Sequence, residues 1–205
     1  MRTWVKICGL STTDTVDAAV EAGADAVGFV LAPGSPRTVD AETARALAVR
    51  VPEHVTAIGV FRGQRIDEVI ETARAASLST VQLHGDEQPS DVAAAHDAGL
   101  RVVRAVDVAT YAAESEEARL AFREDLLLID AVTPGAGAGF DAAPLVASPP
   151  HREWVLAGGL TPDAVAARVA ELRPWGVDVS SGVESSRGVK DVALIRRFVA
   201  EARRP

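Results

Sequence analysis

A lone cysteine, Cys8, closes the short run Val5-Lys6-Ile7-Cys8 and is followed at once by Gly9. In an extended run alternate side chains share a face, so Lys6 and Cys8 point the same way. A lysine one layer below a thiol favours the thiolate, the form able to take a proton. The competing reading is an inert buried cysteine, the common state of an unpaired one. Asp130 closes a second and wholly apolar run, Leu126-Leu127-Leu128-Ile129. A carboxylate in that place is either an acid–base group or a cap for the following loop. As a proton donor it needs a raised pKa, which an apolar wall and a nearby phosphate would both promote by disfavouring its charge.

Anion-binding groups cluster further along. Gly158-Gly159-Leu160 and Ser180-Ser181-Gly182-Val183-Glu184 each follow a short apolar run. Free backbone N–H groups beside helix starts hold phosphate well, and Ser180 and Ser181 add hydroxyl donors. Alternatively Gly158 and Gly159 make a tight turn and the serines cap a helix. Arg37, in Ser35-Pro36-Arg37, carries the fork that pairs with a carboxylate or phosphate, unless it is simply an exposed loop arginine. His84, in Gln82-Leu83-His84-Gly85, either meets a substrate oxygen or satisfies a backbone group at a strand end. The acidic stretch from Ala112 to Glu117 reads as an exposed helix start without chemistry.

The elements that must position these groups are legible as an alternation. Short β-branched runs alternate with Ala-rich segments of helical period, the mark of repeated βα units around a parallel sheet. Eight strands are expected: Val5 to Cys8, Ala26 to Leu31, Val55 to Phe61, Thr80 to Leu83, Val102 to Ala105, Leu126 to Asp130, Trp154 to Leu156 and Gly176 to Val179. Asp40, Ser90 and Thr161 with Pro162 read as helix starts. Gly23 and Gly99 stand where a helix ends in a left-handed residue. Eight units in 205 residues suit a single-domain α/β (β/α)₈ barrel, with an open doubly wound sheet as the alternative. In a barrel the chemistry sits at the carboxyl ends of the strands, and every candidate above follows or ends one.

Composition narrows the function classes. A net charge of -8, with no basic stripe, argues against nucleic-acid binding, so an anionic ligand needs a local positive site. No apolar run has the length of a signal peptide or membrane span, and the expectation is a cytoplasmic protein, monomer or homodimer. One cysteine cannot form an internal disulfide, and four histidines without ligand spacing do not suggest zinc. The 48% hydrophobic share is that of a globular chain.

Taken in order, Lys6-Ile7-Cys8-Gly9-Leu10, Ser35-Pro36-Arg37, Val81-Gln82-Leu83-His84-Gly85, Leu156-Ala157-Gly158-Gly159-Leu160 and Val177-Asp178-Val179-Ser180-Ser181-Gly182-Val183-Glu184 resemble the phosphoribosylanthranilate isomerases. Gly188-Val189-Lys190-Asp191 extends the match over nearly the whole chain. The resemblance implies a cofactor-free Amadori rearrangement of a small phosphorylated substrate in tryptophan biosynthesis. It further implies Cys8 as general base, Asp130 as general acid, Arg37 as partner of the anthranilate carboxylate, and the backbone at Gly158, Gly159 and Ser180 to Gly182 as phosphate cradle. The sequence departs from the family after the sixth strand. There Pro134 to Ala142 lacks the usual loop hydroxyl and tryptophan, and Asp163 replaces an asparagine. A related barrel, aminoimidazole ribonucleotide isomerase or a dual-substrate variant, would carry an aspartate where Cys8 stands. A pentose-phosphate epimerase would want a metal site. A non-catalytic phosphosugar-binding barrel is supported only by the altered loop.

Overall fold

The computed structural model describes residues 2–131 and 143–204. Eight parallel strands close on themselves in chain order, β1 pairing with both β2 and β8. They are β1 Trp4–Cys8, β2 Ala26–Val30, β3 Thr56–Phe61, β4 Thr80–Leu83, β5 Arg101–Asp107, β6 Leu126–Asp130, β7 Trp154–Ala157 and β8 Gly176–Val179. The expected strands all stand within two residues of these bounds, and the open sheet is excluded. The strands are short apolar runs because both faces are covered, one by the helices and one by the barrel's own interior.

Alternation divides each strand between two cores. Outward residues such as Val5, Ile7, Phe29, Leu127 and Ile129 pack with helix residues including Val16, Leu47, Val69 and Ile195. Inward residues make a smaller core of Ala26, Ile58, Val103, Ala105, Leu128, Val155 and Ala157, with Trp4 and Trp175 packed against it. The two tryptophan rings stack at 5.1 Å. Toward the carboxyl ends the inward series turns polar, with buried Lys6, Gln82 and Asp178 and half-buried Asp130.

Helices α1 Thr13–Glu21, α2 Ala41–Ala48, α3 Ile66–Ala75, α4 Pro89–Asp97, α5 Val108–Ala113, α6 Glu116–Ala121, α7 Ala143–Ala147, α8 Val165–Leu172 and α9 Val192–Ala202 fill the connections. Asp40 caps α2 as expected, accepting from Thr43 N at 2.7 Å. Gly23 and Gly99 follow α1 and α4 with φ of +86° and +81°. Two starts differ. Pro89, not the residue after Ser90, opens α4, because Gln88 N donates to Asp91 Oδ2 at 2.7 Å and so fixes the first turn two residues early. Thr161 and Pro162 open a turn, held by Ala164 N and Val165 N on Thr161 O, and α8 begins only at Val165.

The acidic stretch is also less simple than expected. Ser115 caps α6, but Glu114 folds back in a partly buried ion pair with Arg104, whose guanidinium lies 3.4 Å over Phe122. Beyond β8 a short 3₁₀ turn over Ser181–Val183 leads into an unpredicted hairpin, β9 Glu184–Ser186 and β10 Val189–Lys190. Among the described residues no helix is long and apolar enough to cross a membrane.

Candidate active site

Strand β1 brings Lys6 and Cys8 to the barrel interior together. They lie side by side over Gly28 of β2, where an added Cβ would stand 3.0 Å from Cys8 Sγ and 3.2 Å from Lys6 Cε. The glycine is therefore the space in which the thiol and the ammonium stem sit. Lys6 Nζ makes a 3.0 Å ion pair with Asp178 of β8, and its side chain is only 1% exposed. Burial acts to lower the Lys6 pKa, but Asp178 and Cys8 outweigh it, so the ammonium stays charged. Burial raises the Cys8 pKa, and the opposing pull of Lys6 only partly offsets it while Asp178 adds to the rise. Lys6 thus acts on the thiol in the expected direction, but Asp178 shares its charge and the net shift is upward.

On the far side of Asp178, the loops after β7 and β8 enclose a cavity of about 260 Å³. Gly158, Gly159, Ser180, Ser181 and Gly182 line it, as do Asp130 and Asp178. Gly158 and Gly159 hold φ of +89° and +61°, a region that suits residues without a Cβ. A Cβ on Gly182 would fall 1.8 Å from the Leu160 carbonyl oxygen, so the two loops approach as closely as they do only because that residue is glycine. The N–H groups of Gly158, Gly159, Ser181 and Gly182 find no acceptor among the described residues. Four free amides around one small cavity make an anion cradle.

Arg37 stands over Gly9, where an added Cβ would meet its Cδ at 2.6 Å. Its fork is occupied: Nε donates to Glu184 Oε1 at 2.6 Å and Nη2 to Glu184 Oε2 at 2.9 Å. Lys190 Nζ donates to the same Oε1 at 2.8 Å and to Ser180 O at 2.8 Å. Burial raises the Glu184 pKa, yet these donors overcome it and bring the carboxyl down to about 2. Only the outer end of the Arg37 guanidinium remains for a ligand.

Across the mouth, His84 and Asp130 line a second cavity of about 750 Å³ with Arg62, Asp107 and Glu114. Burial lowers the His84 pKa, with Asp130 opposing and Arg62 and Lys6 assisting, so the ring is neutral near pH 7. Its ring makes no hydrogen bond among the described residues, which removes the reading that it serves to satisfy a strand end. Asp130 borders both cavities. Among the described residues no three His, Cys, Asp or Glu side chains gather as a metal-binding group.

The model of the N-(5'-phosphoribosyl)anthranilate isomerase family matches residues 5–201. The chain belongs to the phosphoribosylanthranilate isomerase family. A relative from Chromohalobacter salexigens, named N-(5'-phosphoribosyl)anthranilate isomerase, is 44% identical over 98% of this chain and 94% of its own. A TrpF structure from Jonesia denitrificans superposes with a TM-score of 0.87 at 40% identity, covering 98% and 97% of the two chains. A phosphoribosylanthranilate isomerase in complex with reduced 1-(o-carboxyphenylamino)-1-deoxyribulose 5-phosphate superposes at 0.80 with 35% identity, each chain 98% covered.

Within this isomerase barrel, all nine residues singled out from sequence reach the carboxyl-end mouth. Cys8, Arg37 and Ser180 surround Gly9, while Gly158, Gly159, Ser181, Gly182 and Asp130 share the cradle and His84 stands across from it. The atypical stretch from Pro134 to Ala142 lies outside the described residues. Sequence reasoning missed Asp178, Glu184 and Lys190 as members of the site. The signal for Asp178 was present, since alternation from Ser180 puts it on the inward face.

Proposed function

We propose that this protein converts N-(5-phosphoribosyl)anthranilate to 1-(2-carboxyphenylamino)-1-deoxyribulose 5-phosphate by general acid–base catalysis. The observation that carries the reading is the position of Asp130, which borders both the amide-lined cradle and the larger mouth cavity. A substrate with its phosphate in the cradle brings its sugar past that carboxyl.

In this reading the amides of Gly158, Gly159, Ser181 and Gly182 hold the phosphate. Asp130 gives a proton to the furanose ring oxygen, and the C1′–O bond opens to a protonated Schiff base. Cys8 then takes the C2′ proton, and the electron pair left behind forms the enolamine. Protonation at C1′ and loss of the hydroxyl proton at C2′ deliver the ketone. Lys6 stabilises the Cys8 thiolate at the moment it is needed, because its ammonium is buried beside the sulfur and has no water to screen it. The outer end of Arg37 receives the anthranilate carboxylate, and neutral His84 offers a hydrogen bond without adding charge.

The test follows the loss of anthranilate-ribosyl fluorescence, with substrate generated in situ, for the wild type and Cys8→Ala side by side. Turnover by the wild type and a loss of about 10²–10⁴-fold in the variant are expected. A wild type without turnover overturns the substrate, and a variant of near-normal rate overturns Cys8 as the base.

A further inference from the structure

We infer that Glu184 is a positioning residue that aims Arg37 at the substrate's ring carboxylate; this deepens the function proposed above and rests on it. An arginine on a loop is a long, mobile side chain, and aiming it at a ligand requires something to hold it. Glu184 does so from 147 positions away in the chain, gripping Nε and Nη2 together, while its own side chain is only 4% exposed. A carboxylate has about four lone-pair directions. All are filled here, by Arg37 twice, by Lys190 Nζ on Oε1 and by Gly188 N on Oε2 at 3.0 Å.

The surroundings fix the carboxylate in turn. The β9–β10 hairpin leans on the loop after β2, since a Cβ on Gly188 would stand 3.0 Å from Pro36 Cβ. Lys190, itself 1% exposed at the side chain, ties Glu184 to Ser180. Two arginine donors are thereby committed, and three of the five that a guanidinium carries find no acceptor among the described residues. Those three point away from Glu184 by the planar geometry of the group, so the direction in which Arg37 offers its charge is set by Glu184. One anion also faces two cations, which leaves the cluster with a net positive charge for a ligand carboxylate.

Glu184→Gln keeps the shape and removes the charge. Its amide offers one acceptor oxygen in place of two and sets an NH₂ group against donors, so Arg37 loses half of its grip. The experiment measures, by calorimetry, binding of reduced 1-(o-carboxyphenylamino)-1-deoxyribulose 5-phosphate and of its phenylamino counterpart without the carboxylate. Wild type, Glu184→Gln, Arg37→Ala and the double variant are compared. Glu184→Gln is expected to weaken the carboxylated compound about ten- to a hundredfold, from the loss of charge-assisted hydrogen bonds, and the phenylamino compound by no more than about twofold. The double variant is expected to be no weaker than Arg37→Ala, because Glu184 acts through that residue. Equal losses on both compounds, or losses that add in the double variant, overturn the inference and leave Glu184 a support of the hairpin. A wild type that binds neither compound overturns the substrate reading instead, which the two-ligand comparison keeps apart.

Discussion

The two ends of the barrel interior are built from the same eight strands and the same alternation, yet they do opposite things with it. At the amino end the inward residues are Trp4, Ala26, Ile58, Leu126, Leu128 and Val155, closed beneath by Trp175. One or two layers higher on the same strands stand Lys6 and Cys8, Asp130 and Asp178. The lower layers gain from burying apolar surface, about 1.5–3 kcal/mol for a side chain such as Leu128. The upper layers place charges out of water, a cost met only by pairing them. An inward position is thus a site for packing or for chemistry according to its layer, and its sequence pattern alone does not say which.

Leu128 and Asp130 isolate that contrast, being two residues apart on one strand and one face. Asp130→Asn should lower turnover by about 10²–10⁴-fold, the usual contribution of a general acid, with little change in melting temperature. Leu128→Ala should cost about 2–5 kcal/mol of stability and leave the folded fraction active. Steady-state turnover and chemical denaturation of both variants check the pair. Reversal of the two patterns, with Leu128→Ala losing turnover and Asp130→Asn losing stability, would break the division of the interior.

Much of this was legible from sequence because both signals are local. A run of alternate β-branched residues announces a strand, and its last residue announces the mouth, so the local pattern alone gathers Cys8, Asp130 and the Gly158 and Ser180 segments. Contacts between distant segments leave no such trace. Nothing near Arg37 hints that Glu184 fills its fork, and nothing in Ala112 to Glu117 shows Glu114 turning in to Arg104. Thr161 and Pro162 suit the first position of a turn as well as that of a helix, so α8 starts later than the local pattern predicts.

The cradle offers an intermediate effect, since it belongs to the upper layers but is made of backbone. Gly182→Ala would drive a methyl group to 1.8 Å from the Leu160 carbonyl oxygen, and backbone must move to relieve it. Overpacking of this kind costs about 1–3 kcal/mol. Because the strain separates the two phosphate-holding loops, it is expected to appear as a raised KM and weaker competition by inorganic phosphate, with kcat altered less. A KM unchanged from wild type would show that the close approach of these loops is not what shapes the cradle.

The smallest effect concerns the charges beneath the thiol, and its sign separates electrostatics from packing. Burial raises the Cys8 pKa, Lys6 opposes the rise and Asp178 reinforces it. Lys6→Met removes the opposing cation and leaves Asp178 unbalanced, so the thiolate should appear at higher pH than in the wild type. Asp178→Asn removes the reinforcing anion, so it should appear at lower pH. The base is active only when deprotonated, and kcat/KM on its rising limb should follow the thiol in each case, moving up in pH for Lys6→Met and down for Asp178→Asn. Thiolate absorbance against pH reads the shift directly. Opposite displacements are what two charges of opposite sign produce at one sulfur. Displacement in the same direction by both variants would mean that the pair matters to Cys8 only through the shape of the layer, as Leu128 and Trp4 matter to the layers below.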